Sequence, residues 1–113
     1  MHELSITQSM MDIVLDQAKA ANAKKVTRIN VVIGEMSGVV SDCIQFYFDF
    51  LKKGNAAEEA ILDFKLVPVE LKCRECQTVF NPNGSAWVCP NCHCTNLAVI
   101  KGQESYVESI EVE

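Results

Sequence analysis

Residues 73–92 read CRECQTVFNPNGSAWVCPNC, and this stretch decides how the chain is organised. Cys73 and Cys76 form one Cys-x-x-Cys pair, and after twelve further residues Cys89 and Cys92 form a second. Each such turn lets both sulfurs face one ion while backbone amides hydrogen-bond to the thiolates. Two turns supply the tetrahedral set of four sulfurs that Zn²⁺ favours. The spacing therefore predicts a structural zinc site.

The cysteine stretch is too short to build a hydrophobic core of its own, so metal binding would supply its folding free energy. The sequence NPNG at 81–84 is typical of a turn and predicts that the stretch folds back as a hairpin. We therefore expect a zinc-ribbon-like domain at 71–101, inserted into an α/β domain made of residues 1–70 and 102–113.

Three other sites use similar cysteines. A thioredoxin-like redox pair needs a single Cys-x-x-Cys before a helix, and no helical pattern follows either pair. A nucleic-acid zinc ribbon needs basic and aromatic residues, whereas the charged residues between Cys73 and Cys94 are Arg74 and Glu75. A rubredoxin-like iron centre stays open, because ligand softness alone does not separate iron from zinc.

The rest of the chain predicts helix, strand, helix and strand before the insert and one strand after it. The predicted elements are a helix at 5–22, a strand at 26–34, a helix at 41–54, a strand at 61–71 and a strand at 104–113. Ser5 and Gln8 match a capping box at the first helix start. The expected fold is α+β, with a small three-stranded sheet and two helices.

Apolar patterns predict which side chains of these elements are buried. In the first helix the apolar stripe contains Ile6, Met10, Ile13 or Val14, and Ala18. In the strand at 26–34 it contains Ile29, Val31 and Ile33. Leu62, Phe64 and Leu66 share one face of the next strand, and Pro68 indicates an edge or an end. Ile110 and Val112 share one side of the last strand.

The second helix carries four aromatic residues and one cysteine. We expect Phe46, Tyr47, Phe48 and Phe50 to pack in the core rather than to line a ligand pocket. Cys43 is expected to be a small buried hydrophobe without chemistry.

Composition excludes several classes of protein. The chain has 113 residues, of which 49% are hydrophobic and 22% charged, so it should fold as one main domain. Its net charge of −5 is not that of a nucleic-acid-binding domain, which normally carries clustered lysine and arginine. It shows neither a signal peptide nor an apolar run long enough to span a membrane. We expect a cytoplasmic protein, where six cysteines indicate metal or redox chemistry more than disulfides.

The chain begins MHELS, which places an amine, an imidazole and a carboxylate side by side. His2 is bulky enough that Met1 should be retained, so Met1, His2 and Glu3 form a cluster of metal donors. The ordinary alternative is a frayed terminus without a function.

MHELS, the thiolate pairs CRECQ and CPNCH, and the terminal SIEVE together resemble the HypA/HybF family of hydrogenase nickel-incorporation proteins, along essentially the whole chain. The resemblance implies a metallochaperone that delivers Ni²⁺ to the large subunit of [NiFe]-hydrogenase with the partner GTPase HypB; some members also serve urease. By resemblance His2 and Glu3 carry over as nickel-site residues. The four cysteines of the pairs carry over as zinc ligands. Which enzyme is served, and whether the chain is a monomer or a homodimer, stay open.

This reading gives the terminus a chemical role. The Met1 amine, deprotonated backbone amides and the His2 imidazole can form the nitrogen-rich planar set that favours Ni²⁺, while Glu3 ligates or orients the imidazole. Cys94 departs from the family pattern. We expect Cys94 and His93 to be neighbours imposed by a tight loop, although either could replace a departing thiolate.

No catalytic constellation is evident, so we expect no enzyme activity. Two other functions remain open. One is a small electron carrier with iron held by the four cysteines, and the other is an adaptor that binds partners through a zinc domain and binds no nickel.

Overall fold

A computed structural model of the chain describes residues 3–82 and 87–113. The described residues form two helices and six strands. The helices are α1 (Glu3–Ala20) and α2 (Ser41–Leu51), and the strands are β1 (Val26–Gly34), β2 (Ile61–Val67), β3 (Glu70–Cys73), β4 (Val79–Phe80), β5 (Leu97–Lys101) and β6 (Ser105–Val112). The predicted order of elements is confirmed, except that the single strand predicted at 61–71 is divided: β2 ends at Val67, and residues 70–71 belong to β3 of a second sheet. Strands β3, β4 and β5 lie between residues 70 and 101, in and around the cysteine stretch.

The main sheet has the order β2-β1-β6, with both helices packed against one face. Strand β1 is parallel to β2 and antiparallel to β6. Helix α2 lies in the connection between β1 and β2. Ile29, Val31 and Ile33 of β1 are buried in the core that the helices cover, as their alternation predicts. The α+β prediction with a three-stranded sheet and two helices is confirmed.

Helix α1 buries a stripe at helical spacing that contains Thr7, Met10, Met11, Val14 and Ala18. Val14, and not the half-exposed Ile13, faces the core. The helix begins at Glu3, so the predicted start at Ser5 is wrong. Thr7 Oγ1 donates to the Glu3 carbonyl at 2.6 Å, and the acidic side chain of Glu3 suits a helix N-terminus.

Helix α2 corrects the expectation for its aromatic residues. Ile44 and Phe48 are buried and Leu51 packs beside them, but Phe46 and Phe50 are 70% and 73% exposed. A helix against a sheet buries a single stripe at i, i+4 and i+7, and positions 46 and 50 lie outside it. The prediction is therefore right for Phe48 and wrong for Phe46 and Phe50, while Tyr47 is half-buried.

In the outer strands of the main sheet, β2 and β6, buried and exposed side chains do not alternate regularly. Strand β2 is an edge strand that ends just before Pro68, as predicted; Leu62 and Phe64 pack in the core, but Leu66 is 65% exposed. In β6 the register shifts between its pairs with Asn30 and Val31 of β1. This bulge lets Val107 and Ile110, three residues apart, both pack on the core.

The cysteine sheet has the order β4-β3-β5, and both of its pairs are antiparallel. Strands β3 and β4 form a hairpin whose turn lies at 74–78, before the turn predicted at 81–84. Of the turn predicted at 81–84, Asn83 and Gly84 lie outside the described residues. The central strand β3 buries Leu71 and Cys73.

Two chain segments cross in contact where the two sheets meet. A Cβ added to Gly34 would lie 2.3 Å from the carbonyl carbon and oxygen of Gly102. Gly102 has a φ of +108°, and a Cβ there would lie 2.8 Å from Cα of Val69. Glu35 donates its N–H to the Val67 carbonyl at 2.8 Å, and its carboxylate accepts from the Val69 N–H at 3.0 Å. These five residues form the junction through which the chain enters and leaves the cysteine sheet.

The molecule is elongated as a result. Its radius of gyration is 17.8 Å, and its principal extents are 55 × 27 × 17 Å. A compact domain of this length would have a radius of gyration of about 13 Å.

Candidate metal centre

Four cysteine sulfurs converge at the end of the cysteine sheet. The Sγ atoms of Cys73, Cys76, Cys89 and Cys92 all lie within 4.8 Å of one another. The Cys73–Cys92 and Cys76–Cys89 pairs are each 3.5 Å apart. Four sulfurs at 2.3 Å from a tetrahedral ion would be separated by about 3.8 Å. The cluster therefore has the size and the donor set of a tetrathiolate metal site.

The first Cys-x-x-Cys turn is built by its backbone. The Gln77 N–H donates to the Cys73 carbonyl at 2.9 Å, and Gln77 has a φ of +67° that closes the turn. The Cys73 N–H donates to the Thr78 carbonyl at 2.9 Å. These bonds turn the sulfurs of Cys73 and Cys76 toward the same point.

The second turn repeats this geometry residue for residue. The His93 N–H donates to the Cys89 carbonyl at 2.9 Å, and His93 has a φ of +63°. The Cys89 N–H donates to the Cys94 carbonyl at 3.0 Å. His93 thus occupies the position of Gln77, and Cys94 that of Thr78. The Cys92 N–H lies 3.5 Å from the Cys89 sulfur, which is the amide–thiolate contact expected of such turns.

Hydrogen bonding distributes charge unevenly within the cluster. The pKa of Cys76 is lowered to about 5, first by the hydroxyl of Thr78 and then by the side chain of Asn91. The backbone of Cys94 lowers the pKa of Cys92, but hydrogen bonds with the neighbouring sulfurs and burial outweigh it and raise that pKa to about 12. These shifts favour the thiolate at Cys76 and the protonated thiol at Cys92. A bound dication would displace that proton.

The remaining cysteines lie outside the four-sulfur group. Cys94 is half-buried, and its sulfur accepts from the Asn96 N–H at 3.3 Å. Cys43 is half-buried in α2, so it is less enclosed than predicted. Both His93 and Cys94 have the backbone role of closing the second turn, as the tight-loop reading predicts.

Sequence reasoning missed the polar residues that support the sulfurs. Thr78 Oγ1 lies 3.1 Å from the Cys76 sulfur. Asn96, which follows the second turn, donates its side-chain amide to Glu75 Oε1 of the first turn at 3.3 Å. The position of Thr78, two residues after a cysteine that ends a turn, is the one signal that could have indicated its role.

The predicted nickel residues are placed only in part. Met1 and His2 lie outside the described residues. Glu3 is 6% exposed at the start of α1, and its Oε2 lies 3.4 Å from the Val40 N–H at the start of α2. The Glu3 carboxylate is thus held between the N-termini of the two helices, where positive helix dipoles favour a negative charge.

Comparison with known proteins gives the chain a family. Its residues 1–112 match the family model described as "Hydrogenase/urease nickel incorporation, metallochaperone, hypA". It is similar to "Hydrogenase maturation factor HypA" of Dehalococcoides mccartyi, with 45% identity over all of this chain and 95% of that one. The protein with the same name from Caldanaerobacter subterraneus subsp. tengcongensis is 44% identical over the full length of both chains.

Two solved structures share the fold. "Solution structure of HypA protein" superposes with a TM-score of 0.79 at 32% identity, covering 99% of this chain and 96% of that one. "Solution structure of the Ni metallochaperone HypA from Helicobacter pylori" has a TM-score of 0.70 at 33% identity, covering 99% and 97%.

Within residues 3–82 and 87–113, neither helix combines the length and apolar character that crossing a bilayer requires. The family is one of metallochaperones, so the expectation of a protein without enzyme activity is confirmed. The chain belongs to the HypA family of hydrogenase/urease nickel incorporation metallochaperones.

Proposed function

We propose that this protein binds Ni²⁺ at its N-terminus and delivers it to the large subunit of [NiFe]-hydrogenase, acting with the GTPase HypB. The observation that carries the proposal is the family match, which runs through residues 1–112 and so includes the Met-His-Glu start. The similar Helicobacter pylori protein is named a Ni metallochaperone. Because the family description also includes urease, a urease is a second candidate recipient.

Nickel binding at the terminus follows from donor chemistry. The Met1 amine, deprotonated backbone amides and the His2 imidazole supply nitrogen ligands in adjacent chelate rings, a set that suits Ni²⁺. Glu3 adds a carboxylate that ligates the ion or orients the imidazole. Its hydrogen-bond distance to Val40 supports the second role, because that contact restrains the carboxylate at the start of α1. A site at the chain end leaves the cargo open to a recipient.

The second metal of the proposal is zinc, held by Cys73, Cys76, Cys89 and Cys92. The sulfur separations of 3.5 to 4.8 Å suit an ion of this size. When bound, the ion would cross-link the two turns. We propose that residues 71–101 form a zinc-dependent domain, and that residues 1–70 and 102–113 form the nickel-binding domain. Reduced thiols of this kind favour the cytoplasm.

Calorimetric titration of Ni²⁺ tests the terminal site. A short uncleaved N-terminal tag, which converts the Met1 amine to an amide, should weaken nickel binding at least about tenfold, and His2→Ala should do the same because each removes a nitrogen ligand. His93→Ala is the matched control, since it removes the other histidine of the chain and should leave nickel affinity unchanged.

Proton competition sharpens the same test. A free α-amine and an imidazole bind protons near pH ~8 and ~6.5, so nickel affinity should fall as the solution is acidified through this range. Equal nickel affinity in tag-free, tagged and His2→Ala protein would contradict the proposal. Metal analysis and visible absorption distinguish zinc from the iron alternative, because a ferric tetrathiolate absorbs visible light.

A further inference from the structure

Strand β6 has a free edge among the strands that the structure describes. The main sheet ends at β6, which pairs with β1 on one side only. The Gly34 N–H donates to the Glu104 carbonyl at 2.6 Å, which identifies that pair as hydrogen-bonded. Antiparallel pairs alternate between bonded and non-bonded, so Ser105 and Val107 direct their N–H and C=O groups away from β1. A strand added at this edge would find hydrogen-bonding partners.

An apolar groove of about 280 Å³ runs along this edge, between α1 and β6. Strand β6 contributes Ser105, Tyr106 and Val107 to its lining. Helix α1 contributes Ile6, Met10 and the half-exposed Ile13. The volume is many times the ~10–15 Å³ that one water needs, so it can admit large side chains.

The charge at this edge is negative. Glu104 precedes β6, Glu108 and Glu111 lie in it and Glu113 follows it, while residues 104–113 contain no lysine or arginine. Nearby cations offset part of this charge. Arg28 approaches Glu111 at 3.5 Å, Lys101 acts electrostatically on Glu104, and Lys25 interacts with Glu113. A second copy of β6 would bring glutamates against glutamates, which is unfavourable across a strand pair. A cationic strand meets no such repulsion.

The two faces of the edge differ in character. The face toward α1 is apolar through Val107 and Ile110. On the opposite face the Tyr106 ring is half-exposed, and an exposed aromatic ring attracts a lysine or arginine side chain. Side chains of an extended segment alternate between the two faces. The chemistry therefore suits a segment in which apolar and cationic residues alternate.

We propose that the free edge of β6 and the groove beside α1 bind an extended, cationic and apolar segment of a partner protein, which adds to the main sheet as a fourth strand. This mode of binding takes affinity from backbone hydrogen bonds and specificity from the groove. It requires neither the nickel site nor the cysteine cluster.

An NMR titration of the full-length, zinc-loaded, ¹⁵N-labelled protein tests the charge and pattern. The probe is a synthetic eight-residue peptide of alternating valine and lysine. We expect saturable shifts centred on the amides of Ser105, Val107 and Ile13. Glutamate in place of lysine, or serine in place of valine, should weaken binding at least about tenfold, because each removes one of the two complementary features. Equal binding of all three peptides would contradict the proposal.

Two variants test the edge itself. Ser105→Pro removes an outward N–H at the first residue of the strand, where proline does not break the ladder to β1. Ser105→Ala keeps that N–H and is the matched control. Ile13→Gln places a polar group in the groove, and Ile61→Gln makes the same change on the opposite edge strand β2. Ser105→Pro and Ile13→Gln should each weaken peptide binding at least about fivefold, and the controls should not.

Circular dichroism, zinc content and nickel titration establish that each variant keeps its fold and its metal sites. Peptide affinity that is unchanged in both Ser105→Pro and Ile13→Gln would overturn the proposal. Sedimentation of the peptide-free protein tests whether a second copy of the chain binds this edge instead. A dimer that Ser105→Pro abolishes and Ser105→Ala retains would make the second copy the partner and would also overturn the proposal.

Discussion

The main sheet and the cysteine sheet each have three strands, but they are stabilised by different means. The main sheet has a continuous apolar core in which α1 and α2 bury side chains such as Val14 and Phe48 against Ile29. The cysteine sheet has no helix over it among the described residues. Its buried apolar residues are few, and two of them, Cys73 and Cys89, belong to the four-sulfur group.

The difference teaches that one chain can contain two folding units with separate requirements. The main sheet needs close packing, since apolar burial provides its stability. The proposed zinc site would link the two turns of the cysteine sheet, whose apolar surface is small, and we expect this sheet to depend on that linkage. A change that removes one source of stability should leave the other unit folded.

Cys76→Ser should have the largest effect on the cysteine sheet. Loss of one ligand should release the zinc and unfold residues 71–101, while α1, α2 and the main sheet keep their structure. Zinc analysis and amide spectra of the variant measure both parts. Retention of one equivalent of zinc with an unchanged cysteine sheet would show that Cys76 is not a required ligand.

Phe48→Ala is the reciprocal change in the main sheet. Removing a fully buried phenylalanine should lower the free energy of unfolding by about 3–5 kcal/mol without loss of zinc. Phe50→Ala is a matched control, because the same truncation at a 73% exposed position should cost less than about 0.5 kcal/mol. Denaturant unfolding gives both values. Similar losses for the two variants would contradict the burial of Phe48.

Gly102→Ala tests the junction that joins the two units. Alanine would have to adopt the positive φ of this position, and its Cβ would lie 2.8 Å from Cα of Val69. The free energy of unfolding should therefore fall by about 2–3 kcal/mol. Gly38→Ala separates the two causes: its φ is also positive, at +77°, but nothing lies within 4 Å, so about 1 kcal/mol is expected. If thermal unfolding shows equal losses of stability for Gly102→Ala and Gly38→Ala, the close contact with Val69 does not add to the cost at Gly102.

Cys94→Ser should have the smallest effect. Cys94 closes the second turn through its backbone, and serine preserves that role. Full zinc occupancy should be retained, and one fewer thiol should react with a label in the denatured protein. Loss of zinc from this variant would make Cys94 a ligand.

The sequence predicts the elements whose patterns are local. Alternation marks β1, and the two cysteine pairs mark the four-sulfur group, because both depend on spacing within a short stretch. The exposure of Phe46 and Phe50 was also within reach, since Ile44, Phe48 and Leu51 already fill the one stripe that a sheet-packed helix buries.

The rest depends on contacts between distant segments. The start of α1 at Glu3 accompanies an approach to Val40, 37 residues away, and overrides the local capping signal at Ser5. The side chain of Glu35 bonds Val69 across 34 residues. No local pattern encodes these pairings, so neither the helix start nor the junction could be read from spacing.

The crossing at Gly34 and Gly102 makes the cysteine sheet separable by design. Since Gly102 nearly touches Val69, the chain ends left by excising residues 70–101 would already be adjacent, and a short turn could join them without moving β2 or β6. The excised segment would likewise have neighbouring ends and could be grafted into a surface turn of another protein. Such a shortened chain, with α1, α2 and the main sheet retained, would be a minimal scaffold for testing the proposed nickel donors at the terminus alone.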